Sequence, residues 1–149
     1  MFRILTIIIL ELFVNFASAQ KNFSPAKEAL RLFNAYKPTI EKSNDAIVDE
    51  PNIVTGDLNG DGKMDCIISF VMTSKDGGNA IIGQDAAIYI NKVNEMKVVG
   101  NFNLKICYSV EKIKNKIIYV NEYECAPPYN HFVRMRKYML KGNKLSEVK

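Results

Sequence analysis

The chain has 149 residues, with 20 Lys and Arg against 16 Asp and Glu, which gives a formal net charge of +4. This length fits one domain, since compact domains usually hold about 100–150 residues. An apolar fraction of 48% with 24% charged residues excludes disorder along most of the chain, and three Cys are too few for a dense disulfide scaffold. Because the basic residues are mostly scattered Lys, nucleic acid is not an expected partner.

The first nineteen residues have the pattern of a secretory signal peptide. Arg3 precedes the apolar run Ile4–Leu10, and Ala17-Ser18-Ala19 provides a small-x-small cleavage site. Glu11 interrupts the apolar run well short of the roughly 20 residues that a membrane span needs, which argues against an uncleaved anchor. The sequence therefore predicts a signal peptide over 1–19, a mature domain over 20–149, a secreted or periplasmic location and no integral membrane segment after cleavage.

The mature chain opens with a predicted helix over Ser24–Tyr36. Ser24 suits the N-cap, Pro25 suits the first helical position, and apolar side chains recur along one face. Pro38 is expected to end the helix, because its ring and its missing N–H cannot continue the hydrogen-bond ladder. The residues Glu41–Asn52 are then expected to form a polar, acidic connector.

Beyond Ile53 the pattern changes to short apolar, β-branched runs separated by turn residues. Strands are predicted over Cys66–Met72, Ala86–Ile90, Lys97–Gly100, Leu104–Ile113, Lys116–Tyr123 and His131–Leu140. Tight turns are predicted at Asn94-Glu95, Lys114-Asn115 and Gly142-Asn143. The residues Thr73–Gln84 are expected to form a long exposed loop. Short turns favour an antiparallel meander, so the predicted fold class is α+β, with the N-terminal helix packed on a mainly antiparallel sheet.

One segment has the spacing of a metal-binding loop. Residues 57–65 read D-x-N-x-D-G-x-x-D, which lets oxygen ligands at positions 1, 3 and 5 surround a hard cation while Gly at position 6 permits a sharp turn. A flexible loop with five or more oxygens suits Ca²⁺ better than Mg²⁺, and the loop has neither Cys nor His for zinc. The predicted Ca²⁺ ligands are Asp57, Asn59, Asp61, Asp65 and the main-chain carbonyl of Lys63.

The loop has two other interpretations. An EF-hand needs a bidentate Glu at position 12, where this chain has Ile68, and no helix is predicted before the loop. A surface turn rich in Asn, Asp and Gly that binds no metal is the simpler alternative, since these residues favour turns anyway. Three carboxylates and an amide at the full spacing favour calcium.

The segment Val54–Ile68 resembles the FG-GAP and VCBS calcium repeats of secreted proteins. In those repeats the loop joins two β-strands and the metal is usually structural, so the resemblance implies a structural Ca²⁺ held by the same five residues. Such repeats normally occur in tandem as propeller blades, and one copy in a chain of this length excludes a propeller within it. The resemblance therefore implies a small sheet domain with one calcium loop, similar to small secreted bacterial proteins.

The three cysteines permit at most one intramolecular disulfide. Cys107 and Cys125 lie on the two arms of a predicted hairpin, and the register decides whether they meet. A two-residue Lys114-Asn115 turn would pair Cys107 with Glu122 and place the two Cys on opposite faces, whereas a three-residue turn would place them diagonally on one face. Cys66 lies in an apolar run and is expected to be a small core residue.

No catalytic set stands out in the sequence. His131 is the only His and is expected to be structural, while Glu122 and Glu124 alternate along one strand face that is expected to be solvated. Gly77-Gly78 lacks the Gly-Lys-Ser/Thr ending of a phosphate loop. The chain has one cluster of basic residues, which is also expected to be solvated. Two of its members, Arg134 and Arg136, share a strand face that could meet an acidic partner. The cluster consists of Arg134, Arg136, Lys137, Lys141 and Lys144.

These features predict an exported, non-enzymatic calcium-binding protein that acts as a binding or inhibitory module for a protein or glycan partner in the envelope. The expected contact segments are Thr73–Gln84 and Ala126–His131, which contains Tyr129. One alternative is an envelope structural protein. The other is a small metal-assisted hydrolase, which would need carboxylates to converge beside the metal; the candidates are Asp85, Glu122 and Glu124.

Overall fold

The structure is a computed structural model that describes residues 23–76, 80–93, 95–125 and 131–148. The predicted signal peptide, Gly77-Gly78, Asn94 and the residues 126–130 with Tyr129 lie outside the described residues. The elements are α1 (Pro25–Asn44), β1 (Ala46–Gly56), β2 (Asp65–Ser74), β3 (Ile81–Asn91), β4 (Met96–Asn101), β5 (Cys107–Lys114), β6 (Ile117–Tyr123), β7 (Phe132–Lys141) and β8 (Lys144–Glu147). No helix within these ranges is long and apolar enough to cross a membrane.

The strands form two four-stranded antiparallel meanders. Sheet 1 has the order β1-β2-β3-β4, and sheet 2 has the order β5-β6-β7-β8. The helix packs on sheet 1, so the predicted α+β class, a helix on mainly antiparallel strands, is confirmed. The single predicted meander is divided into two sheets, which the sequence did not indicate.

Sheet 1 is covered on both faces. One core lies between α1 and sheet 1 and contains Ala29, Phe33, Ala46, Val48, Cys66, Ile68, Phe70, Met72, Tyr89 and Met96. A second core lies between the two sheets and contains Leu58, Ile67, Ala86, Ile88, Ile90, Phe102, Tyr108, Val110, Ile118, Val120 and Tyr138. Because alternate residues of β2 enter different cores, this strand has a nearly continuous apolar sequence, as expected of a strand buried on both faces.

The helix begins where the sequence predicts. The Ser24 side chain accepts a hydrogen bond from the backbone N–H of Lys27 at 3.5 Å, and Pro25 occupies the first turn. The first turn also carries an ion pair between Glu28 and Arg31, whose guanidinium nitrogen and carboxylate oxygen are 2.7 Å apart. Capping and the acidic first turn therefore define the start of α1.

The predicted end of the helix at Pro38 is wrong, because α1 continues through Pro38 to Asn44. Beyond the proline, Ile40 packs against the core between α1 and sheet 1. Asp45 then ends the helix in the left-handed conformation, and its N–H donates to the carbonyl of Glu41. Packing and capping of the last turns thus outweigh the backbone hydrogen bond that Pro38 cannot donate.

The predicted acidic connector is also wrong over most of its length, because β1 occupies it. Ala46 and Val48 are buried under α1. Pro51 falls within the register shift between Asp49 and Asn52, where β1 bulges away from β2. A bulge is one of the few places in a sheet that tolerates Pro, since its missing N–H removes no ladder bond there.

The expected long loop Thr73–Gln84 is shorter than predicted. β2 extends to Ser74 and β3 begins at Ile81, so only residues 75–80 separate the two strands. At the other end of the chain, the predicted turn at Gly142-Asn143 is confirmed, with Gly142 at φ 59°, and it leads into the short strand β8.

The β5–β6 hairpin turns one residue later than predicted. Asn115 and Lys116 both have positive φ, at 52° and 63°, and form a two-residue turn that pairs Lys114 with Ile117. Positive φ at both central residues matches the twist of an antiparallel hairpin.

A bulge in the same hairpin places the two cysteines on one face. The register shifts between Val110 and Lys112, which places Cys107 opposite Tyr123. Cys125 is two residues beyond Tyr123 and therefore lies diagonally on the same face as Cys107. The two cysteines form a disulfide, with their Cα atoms 5.3 Å apart. Cys66 is a buried free thiol, as predicted, and burial raises its pKa to about 12.

Candidate metal site

The predicted metal loop connects β1 to β2, the position that the resemblance implies. Gly60 and Gly62 have φ values of 86° and 79°, which side-chain-bearing residues rarely adopt, so the turn depends on these glycines. Leu58, the second residue of the loop, is 1% exposed and packs in the core between the sheets. The loop is therefore anchored by an apolar side chain, while Asn59 and Asp61 are exposed.

The polar side chains at positions 1 and 3 turn back onto the amides of their own loop. The Asp57 carboxylate accepts from the N–H of Gly60 at 2.6 Å and from the N–H of Gly62 at 3.0 Å. Asn59 Oδ1 accepts from the N–H of Asp61 at 2.8 Å. These bonds curl the chain around the side-chain oxygens.

Position 5 follows the same pattern. Asp61 Oδ1 accepts from the N–H of Lys63 at 2.9 Å, and Asp61 Oδ2 is 3.3 Å from the Lys63 ammonium. The hydrogen bond from the Lys63 N–H is the main cause that lowers the pKa of Asp61. Asp61 is therefore a carboxylate at neutral pH, available as an oxygen donor.

Asp65 is fully buried and joins the loop to sheet 1. Its Oδ2 accepts from the N–H of Leu58 at 2.8 Å, and its Oδ1 accepts from the N–H of Asn91, the last residue of β3, at 2.9 Å. Burial raises the pKa of Asp65, the two hydrogen bonds oppose that rise, and the charges of Asp61 and Asp57 add to it. Asp65 thus holds the start of the loop to its end and to β3, and the burial of its charge opposes folding.

A lysine from the opposite sheet lies over the loop. A methyl group placed on Gly60 would lie 2.9 Å from Cδ and 3.1 Å from Nζ of Lys116, which belongs to the β5–β6 turn. The ammonium group of Lys116 is thus close to the acidic loop. Contact between the loop and sheet 2 was not indicated by the sequence.

The donor types of the loop, which are carboxylate, amide and carbonyl oxygens, are those that calcium takes. Asp57 and Asp61 supply carboxylates, Asn59 supplies an amide oxygen and Lys63 a main-chain carbonyl, and a carboxylate oxygen that accepts one N–H keeps a second lone pair. Asp65 is already engaged by two amides, so it would contribute through its remaining lone pairs or through water. Within the described ranges, no group of three or more His, Cys, Asp or Glu side chains is arranged to hold a metal ion.

The expectation that Glu122 is solvated is wrong. Its side chain is 12% exposed and accepts from Arg134 Nε at 2.7 Å and from Arg136 Nε at 2.8 Å. Arg136 also lies 3.3 Å from a carboxylate oxygen of Glu147. The hydrogen bonds from Arg136 and then Arg134 lower the pKa of Glu122 to about 2. A carboxylate held by two guanidinium groups at neutral pH has no proton to transfer.

Glu122→Gln is expected to lower the melting temperature by about 2–4 °C at pH 7, because it removes a charge-assisted contact to two arginines. A lowered pKa in the folded state stabilises the protein above the ordinary pKa of 4.5, and this contribution is lost as the pH falls toward about 2. The wild-type and variant curves of melting temperature against pH should therefore converge between pH 4.5 and 2. Glu124→Gln is the control and should show no such convergence; parallel curves for Glu122→Gln would contradict the interpretation.

The other candidate catalytic residues are not brought together. Asp85 lies on β3, four residues before Tyr89, and Tyr89 pairs with Cys66 beside the loop. Four strand residues span about 13 Å, so Asp85 lies at about that distance along the strand from the loop. The Asp85 carboxylate accepts from the side-chain amide of Asn101 at 3.1 Å. His131 is exposed, with its Nδ1 3.9 Å from Glu124. None of these carboxylates converges with the loop.

The remaining basic residues have different surroundings. The Lys137 ammonium lies 5.9 Å from the centre of the Tyr119 ring, and Lys112 lies 5.3 Å from the same centre. Lys141 and Lys144 are exposed, as predicted. The predicted basic group therefore divides into three parts: two arginines paired with Glu122, Lys137 beside the Tyr119 ring, and two exposed lysines.

The backbone partners of Asp65 were missed by the sequence interpretation. Leu58 had a local signal, since an apolar residue among polar loop residues indicates an anchor. Asn91 had none, because it is 26 residues away in the sequence and meets Asp65 only through the pairing of β2 with β3.

No family model matches the chain, and neither the curated proteins nor the solved structures gave a match. The resemblance to FG-GAP and VCBS repeats accordingly rests on residues 54–68 alone.

Proposed function

We propose that the protein is exported and binds one structural Ca²⁺ in the Asp57–Asp65 loop. The observation that carries this proposal is the hydrogen bonding of the loop, in which Asp57, Asn59 and Asp61 each accept backbone N–H groups of the loop itself, around two positive-φ glycines. Oxygen side chains at positions 1, 3 and 5 of a tight turn are the donors that a calcium loop uses.

The charge distribution supports a divalent cation at this place. Three aspartates lie within nine residues, and one of them, Asp65, is buried. The Lys63 side chain pairs with Asp61 and is 40% exposed, and Lys116 lies over Gly60, so the two lysines offset only part of the charge of the three carboxylates. A bound Ca²⁺ would reduce the repulsion among the carboxylates and hold the loop against sheet 1.

Calcium is expected to raise the melting temperature of chelator-treated protein, and Mg²⁺ at the same concentration is expected to do so much less. If the dissociation constant is a hundredfold below the calcium concentration, the free energy of unfolding increases by about 2.7 kcal/mol. Melting curves in EGTA, in CaCl₂ and in MgCl₂ measure this difference.

A pair of matched variants isolates the loop. The double variant Asp57→Asn with Asp61→Asn should lose the response to calcium. The control, Asp45→Asn with Asp76→Asn, removes two exposed carboxylates at other turns and should keep the response. Equal melting temperatures with and without EGTA, or equal calcium responses in both double variants, would refute a structural calcium site.

We further propose that the protein acts as a non-catalytic binding or inhibitory module. Large apolar side chains are exposed within or next to both segments that the sequence singled out. Ile81 and Ile82, within Thr73–Gln84, are 60% and 53% exposed, and Phe132 and Val133, directly after Ala126–His131, are 51% and 49% exposed. Clusters of exposed apolar side chains are typical of protein interaction sites.

The two clusters lie at the same end of the molecule. Gln84 Oε1 accepts from the backbone N–H of Tyr108 at 3.1 Å, which brings the start of β3 to β5. Tyr108 pairs with Glu122, and Glu122 pairs with Arg134 near the start of β7. A single partner surface can therefore contact both clusters.

A pull-down from envelope extract tests this surface. A partner captured by the wild type should be lost with Ile82→Ser and Val133→Ser, and retained with Val93→Ser, which alters an exposed valine in the β3–β4 turn. Capture that is the same for all three proteins, or capture of no partner with calcium present, would count against a binding module.

A further inference from the structure

We propose that a groove between α1 and β4 is a second ligand site, which takes a small amphipathic molecule with an apolar body and a cationic, hydrogen-donating head. The groove has a volume of about 860 Å³. That volume lies within the range of about 300–1,000 Å³ that is usual for small-molecule sites. This site is independent of the calcium loop.

The walls of the groove are apolar. Phe33 and Tyr36 line it from the helix, and Tyr89, Met96 and Val98 line it from sheet 1. Phe33, Tyr89 and Met96 are buried and form the base, whereas Tyr36 and Val98 are each 61% exposed. An apolar ligand body would cover both exposed side chains at once, which is where its burial would contribute most.

Polar groups gather at one end. Ala46 pairs with Ser74, so the C-terminal end of α1, with Asn44, lies where β2 finishes. Asp85 is opposite Phe70, four residues before Ser74, and its carboxylate accepts from the N–H of Ala86 and from the side-chain amide of Asn101 on β4. Asn44, Asp85 and Asn101 all line the groove, which gives an apolar channel with a polar end.

The polar end carries a negative charge without a cation. Among the described residues, no Lys, Arg or His lies within ion-pair distance of Asp85. Lys97 also lines the groove, but its ammonium is 3.4 Å from the carboxylate of Glu95. Lys97 pairs with Ile90 on β3, five residues beyond Asp85. An ammonium head on the ligand would supply the missing charge and donate to the free lone pairs of Asp85.

The groove and the calcium loop lie on different faces of sheet 1. Tyr89 and Met96 line the groove and belong to the core under α1, whereas Leu58 anchors the loop in the core between the two sheets. Loss of calcium binding in Asp57→Asn with Asp61→Asn should therefore leave the groove ligand bound. The two proposals can fail separately.

Titration with three eight-carbon probes tests the head-group preference. Octylammonium, octanol and octanoate have the same apolar body, and each is added below the concentration at which it forms micelles. Amide NMR shifts should change mainly around Tyr36, Asp85 and Val98. Octylammonium should bind at least about fivefold more tightly than octanoate, the ratio expected of one partly exposed ion pair.

Two variants and a control sharpen the test. Asp85→Asn should remove the preference, and Val98→Lys should reverse it, since both residues line the groove. Val93→Lys, at another exposed valine, should leave it unchanged. Equal binding of the three probes, unchanged preference in Asp85→Asn, or shifts centred elsewhere would overturn the proposal. A dimer that Val98→Lys dissociates would assign the groove to a second copy of the chain and would also overturn it.

Discussion

Replacing Asp65 with Ala should lower the free energy of unfolding by about 2–4 kcal/mol, even in calcium-free buffer. The buried Asp65 carboxylate accepts the N–H groups of both Leu58 and Asn91, so the variant removes an acceptor from each of them. Relief of the desolvation of the carboxylate offsets part of this loss. Denaturant unfolding monitored by circular dichroism measures the change.

Asp65→Asn distinguishes hydrogen bonding from charge. It keeps the shape but turns an NH₂ group toward one of the two backbone donors, so it should also destabilise, though less than Asp65→Ala. Asp61→Asn is the control, because its side chain is at the surface and has local partners only. If Asp65→Asn were as stable as the wild type, the electrostatic cost of burying Asp65 would dominate and its assigned role would be wrong.

Removal of the Cys107–Cys125 disulfide should lower the free energy of unfolding by about 3 kcal/mol. The two cysteines are 18 positions apart, and closing a loop of that size restricts the unfolded chain by about this amount. The double variant Cys107→Ser with Cys125→Ser, compared with the wild type by denaturant unfolding, measures the effect.

Reductant provides the control for the disulfide. It should destabilise the wild type by a similar amount and leave the double variant unchanged, since the remaining Cys66 is buried and unpaired. Equal stability of the wild type with and without reductant would show that the bridge contributes nothing to the folded state.

The central strands could be predicted because their local pattern and their burial agree. The run Cys66–Met72 is apolar throughout and forms most of β2, which is buried on both faces. The loop of residues 57–64 could be located for a similar reason, since its spacing and its glycines specify a turn without help from the rest of the chain.

Elements stabilised by distant contacts could not be predicted. The last turns of α1 pass through Pro38 because Ile40 packs on sheet 1, and β1 forms around Pro51 because a bulge absorbs it. Proline is expected to end a helix, and in α1 tertiary packing overrides that expectation. Proline is expected in a strand only at an edge or a bulge, and Pro51 lies at a bulge. The division into two sheets likewise depends on contacts between residues far apart in the sequence.

The chemistry of individual side chains was predicted least well. Glu122 and Arg136 belong to different strands, and their contact depends on the pairing of β6 with β7. The disulfide depended on a bulge between Val110 and Lys112 that no residue type signals. The groove beside α1 requires the helix to extend past Pro38, so it could not be inferred from the sequence.

Calorimetric titration of chelator-treated protein with CaCl₂ tests the central claim, a single calcium ion in the Asp57–Asp65 loop. The account predicts saturable binding of one Ca²⁺ per chain, much weaker binding of Mg²⁺, and no calcium binding by the variant Asp57→Asn with Asp61→Asn. Absence of calcium binding by the wild type, or unchanged binding by that variant, would contradict the account.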